Sequence, residues 1–154
     1  MIVISEAISS QDYQEAKSLI DKYVEFLRVD LEFQGFSSEI EDLDEMYGPP
    51  KGAMILARDN KKLIGCVGLR PLNHEFAEMK RMYVDDAYRG KGIGERLLIS
   101  FLDKARQLGY QKIRLDTFPE LKAANSLYRK YWFKEIAPYR YNPRNDAIFM
   151  EHFL

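Results

Sequence analysis

The sequence predicts a mixed α/β fold, in which a mostly antiparallel sheet of six to seven strands is flanked by about four helices. Two patterns support this prediction. Apolar residues recur at every third or fourth position in some segments, as in helices, and form short alternating or β-branched runs in others, as in strands. The order of the segments is the third observation: a strand, two helices and three strands precede a helix, a strand, a helix and two strands.

The first half of the chain alternates between these patterns. Tyr13, Ala16 and Leu19 fall on one face of a long helix, for which Ser10 is the expected N-cap. Asp59 lies in a turn that joins two strands as a hairpin. The predicted elements are a strand at residues 2–4, helices at 11–31 and within 39–45, and strands at 53–58 and 62–72.

The second half begins with a central strand at residues 76–84. Ile93, Leu97 and Phe101 then start an apolar stripe at helical spacing, and Gly109 is placed to end that helix. The remaining predicted elements are a strand at 112–117, a helix at 121–131 and strands at 133–138 and 147–153.

Length and composition limit the function. The 154 residues, 46% of them apolar, are most simply one domain with its own core. Lysine and arginine total 23 against 24 acidic residues, which does not favour nucleic acid as a partner. The N-terminus lacks the basic start that a signal peptide has, and no stretch reaches the ~18 apolar residues of a membrane span. Cys66 is the single cysteine, so no internal disulfide is expected. A cytoplasmic protein without a membrane partner is expected.

Three glycines follow the central strand at alternate positions, Gly90, Gly92 and Gly94, directly before the helix. Arg89 and Lys91 flank them with positive charge. Because glycine lacks a Cβ, successive amides can turn towards an anion, and the N-terminus of the helix adds to their field. The loop therefore predicts a phosphate or diphosphate site, with a glycine-rich turn that binds nothing as the alternative.

Two familiar phosphate loops do not fit this spacing. A dinucleotide fingerprint would need a glycine where Glu95 stands, and a nucleoside-triphosphate loop would need Ser or Thr where Gly92 follows Lys91. The spacing Arg89-x-x-Gly92-x-Gly94 instead resembles the acyl-coenzyme A loop of the GNAT superfamily of N-acetyltransferases, and the order of elements resembles the GNAT fold over nearly the whole chain.

The resemblance implies an enzyme that uses acetyl-CoA, without a metal, and transfers the acetyl group directly to a primary amine. Departures from the family pattern are Leu121, where many members have asparagine, and Trp132-Phe133 in place of Gly-Phe. Residues that the resemblance assigns to cofactor binding are Met82, Tyr83, Val84, Arg89, Gly90, Lys91, Gly92, Ile93, Gly94 and Asn125.

Two residues are the expected catalytic groups. Glu78, six residues before Val84, matches the family position of a glutamate base, provided that burial raises its pKa or that it acts through water. It could instead pair with Lys80 or Arg81. Tyr128, which follows a leucine near the end of the last helix, matches the proton donor to the leaving thiolate. A packed aromatic residue is the alternative for Tyr128.

The acceptor amine is not encoded in any motif. The resemblance places Phe33 and Phe36 on one lip of the acceptor groove, although both could be core residues. Tyr141 is a further expected substrate residue, in the segment from Tyr139 to Asn142 that is expected to contribute to specificity. Cys66 is expected to be a packing residue and His74 a surface residue. Small amines, aminoglycosides, polyamines and protein termini remain open as acceptors, as do a monomer and a homodimer. The rival functions are an acyl-CoA sensor without catalysis and a phosphate-binding scaffold.

Overall fold

A single seven-stranded sheet organises the described part of the chain, which in this computed structural model comprises residues 1–27, 39 and 41–154. The strands lie in the order β1-β2-β3-β4-β5-β7-β6, and all neighbours are antiparallel except β4 and β5. The strands are β1 (Ile2–Glu6), β2 (Ala53–Asp59), β3 (Lys62–Pro71), β4 (Phe76–Val84), β5 (Lys112–Thr117), β6 (Lys134–Ile136) and β7 (Ile148–Phe153).

Helices pack on both faces of this sheet, which confirms the predicted mixed fold. They are α1 (Ser10–Leu27), α2 (Leu43–Met46), α3 (Ile93–Gln107) and α4 (Lys122–Lys130). The predicted cap of α1 was one residue late: Ser9 is the cap, because its hydroxyl accepts from the Asp12 amide at 3.1 Å while the Asp12 carboxylate accepts from the Ser9 amide at 3.1 Å. Gly109 ends α3 as expected, in a left-handed conformation with φ of 85°.

The sheet separates two hydrophobic cores. Below one face, α3 buries Leu97, Leu98 and Phe101 against β2, β3, β4 and β5. On the other face, α1 buries Ala16 and Ile20 in a second core. The strands between the two cores are buried on both faces. The sequences of the central strands are therefore near-continuous hydrophobic runs with few polar positions.

Two irregularities in β4 create the functional cleft. Its pairing with the parallel neighbour β5 stops at Glu78 opposite Arg114, although both strands continue. In β4, Arg81 has a φ of 59°, and two residues, Arg81 and Met82, oppose one residue of β3. This bulge reverses the alternation, so that Met82 packs against the α3 core while Tyr83 joins the α1 core.

Candidate active site

A cleft of about 450 Å³ opens where β4 and β5 separate. Its walls are the β4 segment from Met79 to Val84 and the β5 end from Leu115 to Thr117. The glycine loop before α3 closes one end, and residues of α4 cover the side. Because parallel strands that stop pairing leave main-chain groups bare, the cleft has a hydrogen-bonding edge as well as apolar walls.

The glycine loop presents bare backbone to this cleft. Gly90 and Gly92 have φ of 78° and 76°, and an added Cβ on either would meet no atom of the described residues within 4 Å. The first main-chain bond at the start of α3 is donated by Arg96 to Gly92, at 3.2 Å, so the preceding amides of the first turn are left to an external acceptor. These features fit the diphosphate that the sequence predicts.

Arg89 is held beside the loop by contacts with Val84, Asp86 and Tyr83. Its Nε donates to the Val84 carbonyl at 3.1 Å, its Nη1 lies 2.7 Å from an Asp86 carboxylate oxygen, and its guanidinium lies 5.5 Å from the centre of the Tyr83 ring. Lys91 instead places its amino group over the Tyr88 ring, at 5.1 Å, and is not among the described residues that line the cleft. The structure thus puts the loop, Arg89, Met82, Tyr83, Val84 and Ile93 at one site.

Glu78 is fully buried, but it is held by cations and does not lie in the wall of the cleft. Arg70 Nε donates to one carboxylate oxygen at 2.9 Å, while the Tyr139 hydroxyl, at 2.5 Å, and Arg140 donate to the other. Burial raises the pKa of Glu78, yet Lys80, Arg140 and Arg70 outweigh it and hold that pKa below its ordinary value. This is opposite to the shift that a general base needs.

Lys80 and Asp116 form the apex of the cleft, and sequence reasoning missed this pair as part of the site. Each lies two residues beyond the last pairing of β4 with β5, and Lys80 Nζ is 4.0 Å from Asp116 Oδ1. Burial lowers the pKa of Lys80 to about 8, with Arg81 adding to the effect while Glu78 and Asp116 oppose it. The available signal was a group of three charged residues, Glu78, Lys80 and Arg81, inside a central strand.

Tyr128 reaches the same cleft from α4 and is only 6% exposed. Its ring packs on Phe133, with centroids 5.6 Å apart. Burial raises the pKa of the Tyr128 phenol, and Tyr23 and the Asp116 charge raise it further. The phenol therefore keeps its proton at neutral pH and can act only as a donor or as a neutral hydrogen-bonding group.

Asn125 is buried behind the cleft rather than in its wall. Its side-chain oxygen accepts from the Thr117 hydroxyl at 2.8 Å, and its side-chain nitrogen donates to the Phe118 carbonyl at 2.9 Å. Both contacts fasten α4 to the end of β5. We therefore propose a structural role for Asn125 in place of the expected contact with the cofactor.

Of the other predicted residues, Tyr141 and Cys66 do not line the cleft. Phe33 and Phe36 lie outside the described residues. Tyr141 is 73% exposed on the connection between β6 and β7. Cys66 is fully buried, its thiol donates to the Arg81 carbonyl at 3.3 Å, and burial raises its pKa to about 12, so it is a packing residue as expected.

Fold and cleft together define a class: α/β proteins with a glycine loop beside a parted pair of strands. The acetyltransferase (GNAT) family model matches residues 17–132. An uncharacterised N-acetyltransferase of Schizosaccharomyces pombe is 35% identical over 151 residues, covering 97% of this chain and 93% of that protein.

Solved structures agree on the fold. An acetyltransferase from Streptococcus agalactiae superposes with a TM-score of 0.82 at 22% identity, covering 99% of this chain and 98% of that one. A GNAT family acetyltransferase from Elizabethkingia anophelis, solved with acetyl-CoA bound, has a TM-score of 0.68 at 22% identity, with 99% and 98% covered.

The chain belongs to the GNAT family. It is an acyltransferase that uses acetyl-CoA as its co-substrate. Within the described residues, no group of three or more His, Cys, Asp or Glu side chains is arranged to hold a metal ion. None of the helices in that part of the chain has the length and apolar character needed to cross a membrane.

Proposed function

We propose that this protein transfers an acetyl group directly from acetyl-CoA to a primary amine bound at the apex of the cleft between β4 and β5. The observation that carries the proposal is the placement of the amide-lined loop and the Tyr128 phenol in one continuous cleft. Bound acetyl-CoA would supply the acetyl group as a thioester.

Different residues along the cleft have different roles in the proposed reaction. The amides from Gly90 to Gly94 bind the diphosphate at the loop end of the cleft, and the unpaired edge of β4 at Met82 and Val84 aligns the pantetheine arm. Tyr128, with its proton retained, donates that proton to the departing sulfur, whose thiol has an ordinary pKa near 8.5.

Removal of the amine proton is assigned to water in the cleft. Glu78 stays a candidate base, but its lowered pKa and its bonds to Arg70, Tyr139 and Arg140 count against it. We propose that Glu78 is instead a positioning residue, which fixes the connection between β6 and β7 beside the acceptor end of the cleft.

Two measurements test this function. Calorimetry should show that acetyl-CoA binds with micromolar or tighter affinity and that Gly92→Glu abolishes binding, because a carboxylate would occupy the place of the diphosphate. Thioester loss across a broad panel of amines should then show turnover, and Tyr128→Phe should lower kcat by roughly 100-fold or more while the affinity for acetyl-CoA stays within about twofold. Tight binding without turnover on any amine would favour a non-catalytic acyl-CoA sensor.

A further inference from the structure

Lys80 is buried at the apex of the cleft, and acetyl-CoA held by its diphosphate at the glycine loop, as proposed, would extend its acyl end along β4 towards this lysine. Its side chain is 3% exposed, and it lines the same cleft as the glycine loop and Tyr128. The four residue steps from Lys80 to Val84 span about 13 Å of strand β4. This unpaired strand edge lies between Lys80 and the loop end of the cleft.

The surroundings of Lys80 favour its reactive, neutral form. Arg81 follows it in β4, and Arg140 approaches from the connection between β6 and β7, while Glu78 and Asp116 are the opposing anions. Burial and these cations lower the Lys80 pKa to about 8, so a substantial fraction of its amino groups is unprotonated slightly above neutral pH. Unprotonated amines are the nucleophiles that attack thioesters.

We propose that Lys80 is an internal acetylation site, which takes the acetyl group from acetyl-CoA bound in the same cleft when no acceptor amine is present. The inference rests on the proposed function. In the reaction, a C–N bond forms between Lys80 Nζ and the acetyl carbonyl carbon, and the C–S bond breaks. The proton lost from Nζ leaves with the sulfur, so the products are an acetylated lysine and free coenzyme A.

The modification would close the site. Acetylation replaces the Lys80 cation with a neutral amide and adds an acetyl group at the apex, next to Asp116. Asp116 then loses a neighbouring positive charge, and the space for an acceptor amine shrinks. The expected consequence is a protein that still binds coenzyme A through its loop but turns over acceptor amines more slowly.

Because Lys80 is buried, its acetylation by bound acetyl-CoA can be distinguished from nonspecific acetylation of exposed lysines. Acetyl-CoA in solution reacts most readily with exposed amines, so a lysine with 3% exposure should be among the last to react without a bound donor. The purified protein is incubated with acetyl-CoA and no acceptor, and acetylation at each lysine is followed by peptide mapping in a mass spectrometer. We expect acetyl-Lys80 to form roughly tenfold or more faster than acetylation of any exposed lysine.

Three variants complete the experiment. Lys80→Arg keeps the charge beside Asp116 but should remove the fast site, whereas Lys17→Arg, at an exposed lysine of α1 that does not line the cleft, should leave it unchanged. Gly92→Glu should abolish acetyl-Lys80 while slow acetylation of surface lysines continues. If calorimetry shows acetyl-CoA binding but Lys80 stays unmodified, this inference is overturned and the proposed function stands. If acetyl-CoA does not bind at all, both this inference and the proposed function are contradicted.

Discussion

The Tyr139 hydroxyl donates a 2.5 Å hydrogen bond to the Glu78 carboxylate, and this bond ties the connection between β6 and β7 to the middle of the sheet. Arg140, the next residue, donates to the same carboxylate oxygen. Both partners come from a loop more than sixty residues away in the chain, so Glu78 acts as the anchor of one side of the cleft.

Glu78→Gln therefore tests anchoring against catalysis. Without the negative charge, Arg70 and Arg140 lose their common partner, and we expect the free energy of unfolding to fall by about 3–5 kcal/mol, as measured by urea denaturation. Glu120→Gln is the matched control, because Glu120 is 58% exposed and pairs with Arg144 at the surface. Normal stability together with a complete loss of turnover in the Glu78→Gln variant would restore Glu78 as the base.

The left-handed glycines give a matched pair for testing the loop. Gly92→Ala and Gly109→Ala each place a Cβ at a positive φ, 76° and 85°, with no described atom within 4 Å. Each should lose about 1–2 kcal/mol of stability through backbone strain. Gly92 lies at the start of α3 and Gly109 beyond its end, so only Gly92→Ala should weaken acetyl-CoA binding in calorimetry. Equal affinities in the two variants would contradict a role for the loop backbone.

Acid should destabilise the protein through its buried carboxylates. Burial alone would raise the pKa of Glu39, but Arg81, with hydrogen bonds of 2.7 and 2.9 Å, outweighs it and lowers that pKa below the ordinary value of 4.5. A lowered folded-state pKa means that this stabilisation is complete above 4.5 and is lost as the pH falls through the lower folded value.

The measurement is the free energy of unfolding from neutral pH down to a pH of about 3. Glu39→Gln should be less stable at neutral pH, by about 3 kcal/mol, because the buried Arg81 cation loses its ion pair with Glu39. Its stability should also fall less steeply in acid than that of the wild type. Parallel curves for the two proteins would show that Glu39 does not contribute to the acid transition.

The Asn125 contacts predict a coupling measured by a double-mutant cycle. Asn125→Ala and Thr117→Val each remove the 2.8 Å bond between these side chains, and Asn125→Ala also removes the bond to Phe118. We expect each variant to lose about 1–3 kcal/mol of stability, with a coupling energy of about 0.5–3 kcal/mol. The affinity for acetyl-CoA should change little in either variant. A large loss of that affinity in Asn125→Ala alone would show that Asn125 contributes to cofactor binding.

The sequence was sufficient for the fold class and the loop because both depend on local patterns. The stripe from Ile93 onwards has helical period, and the left-handed turns at Gly92 and Gly109 favour the one residue type without a Cβ. Ser9 was missed as the cap because Ser10 is an equally good N-cap by type, and only the reciprocal bond with Asp12 distinguishes them.

The interior of the site could not be predicted in the same way. The pKa of Glu78 depends on Arg70, Lys80 and Arg140, and two of these come from other elements of the fold. The Lys80 contact with Asp116 exists because β4 and β5 stop pairing at Glu78, a tertiary event with no local signature. The bulge at Arg81 is likewise invisible in sequence, because arginine is a rare choice at a positive φ.

The most direct test of the account is a crystal structure of the protein soaked with coenzyme A. We predict that the diphosphate oxygens lie about 2.7–3.2 Å from main-chain nitrogens between Gly90 and Gly94, with the pantetheine arm along the unpaired edge of β4. A loop without bound ligand, or loop amides directed away from the diphosphate, would contradict the account.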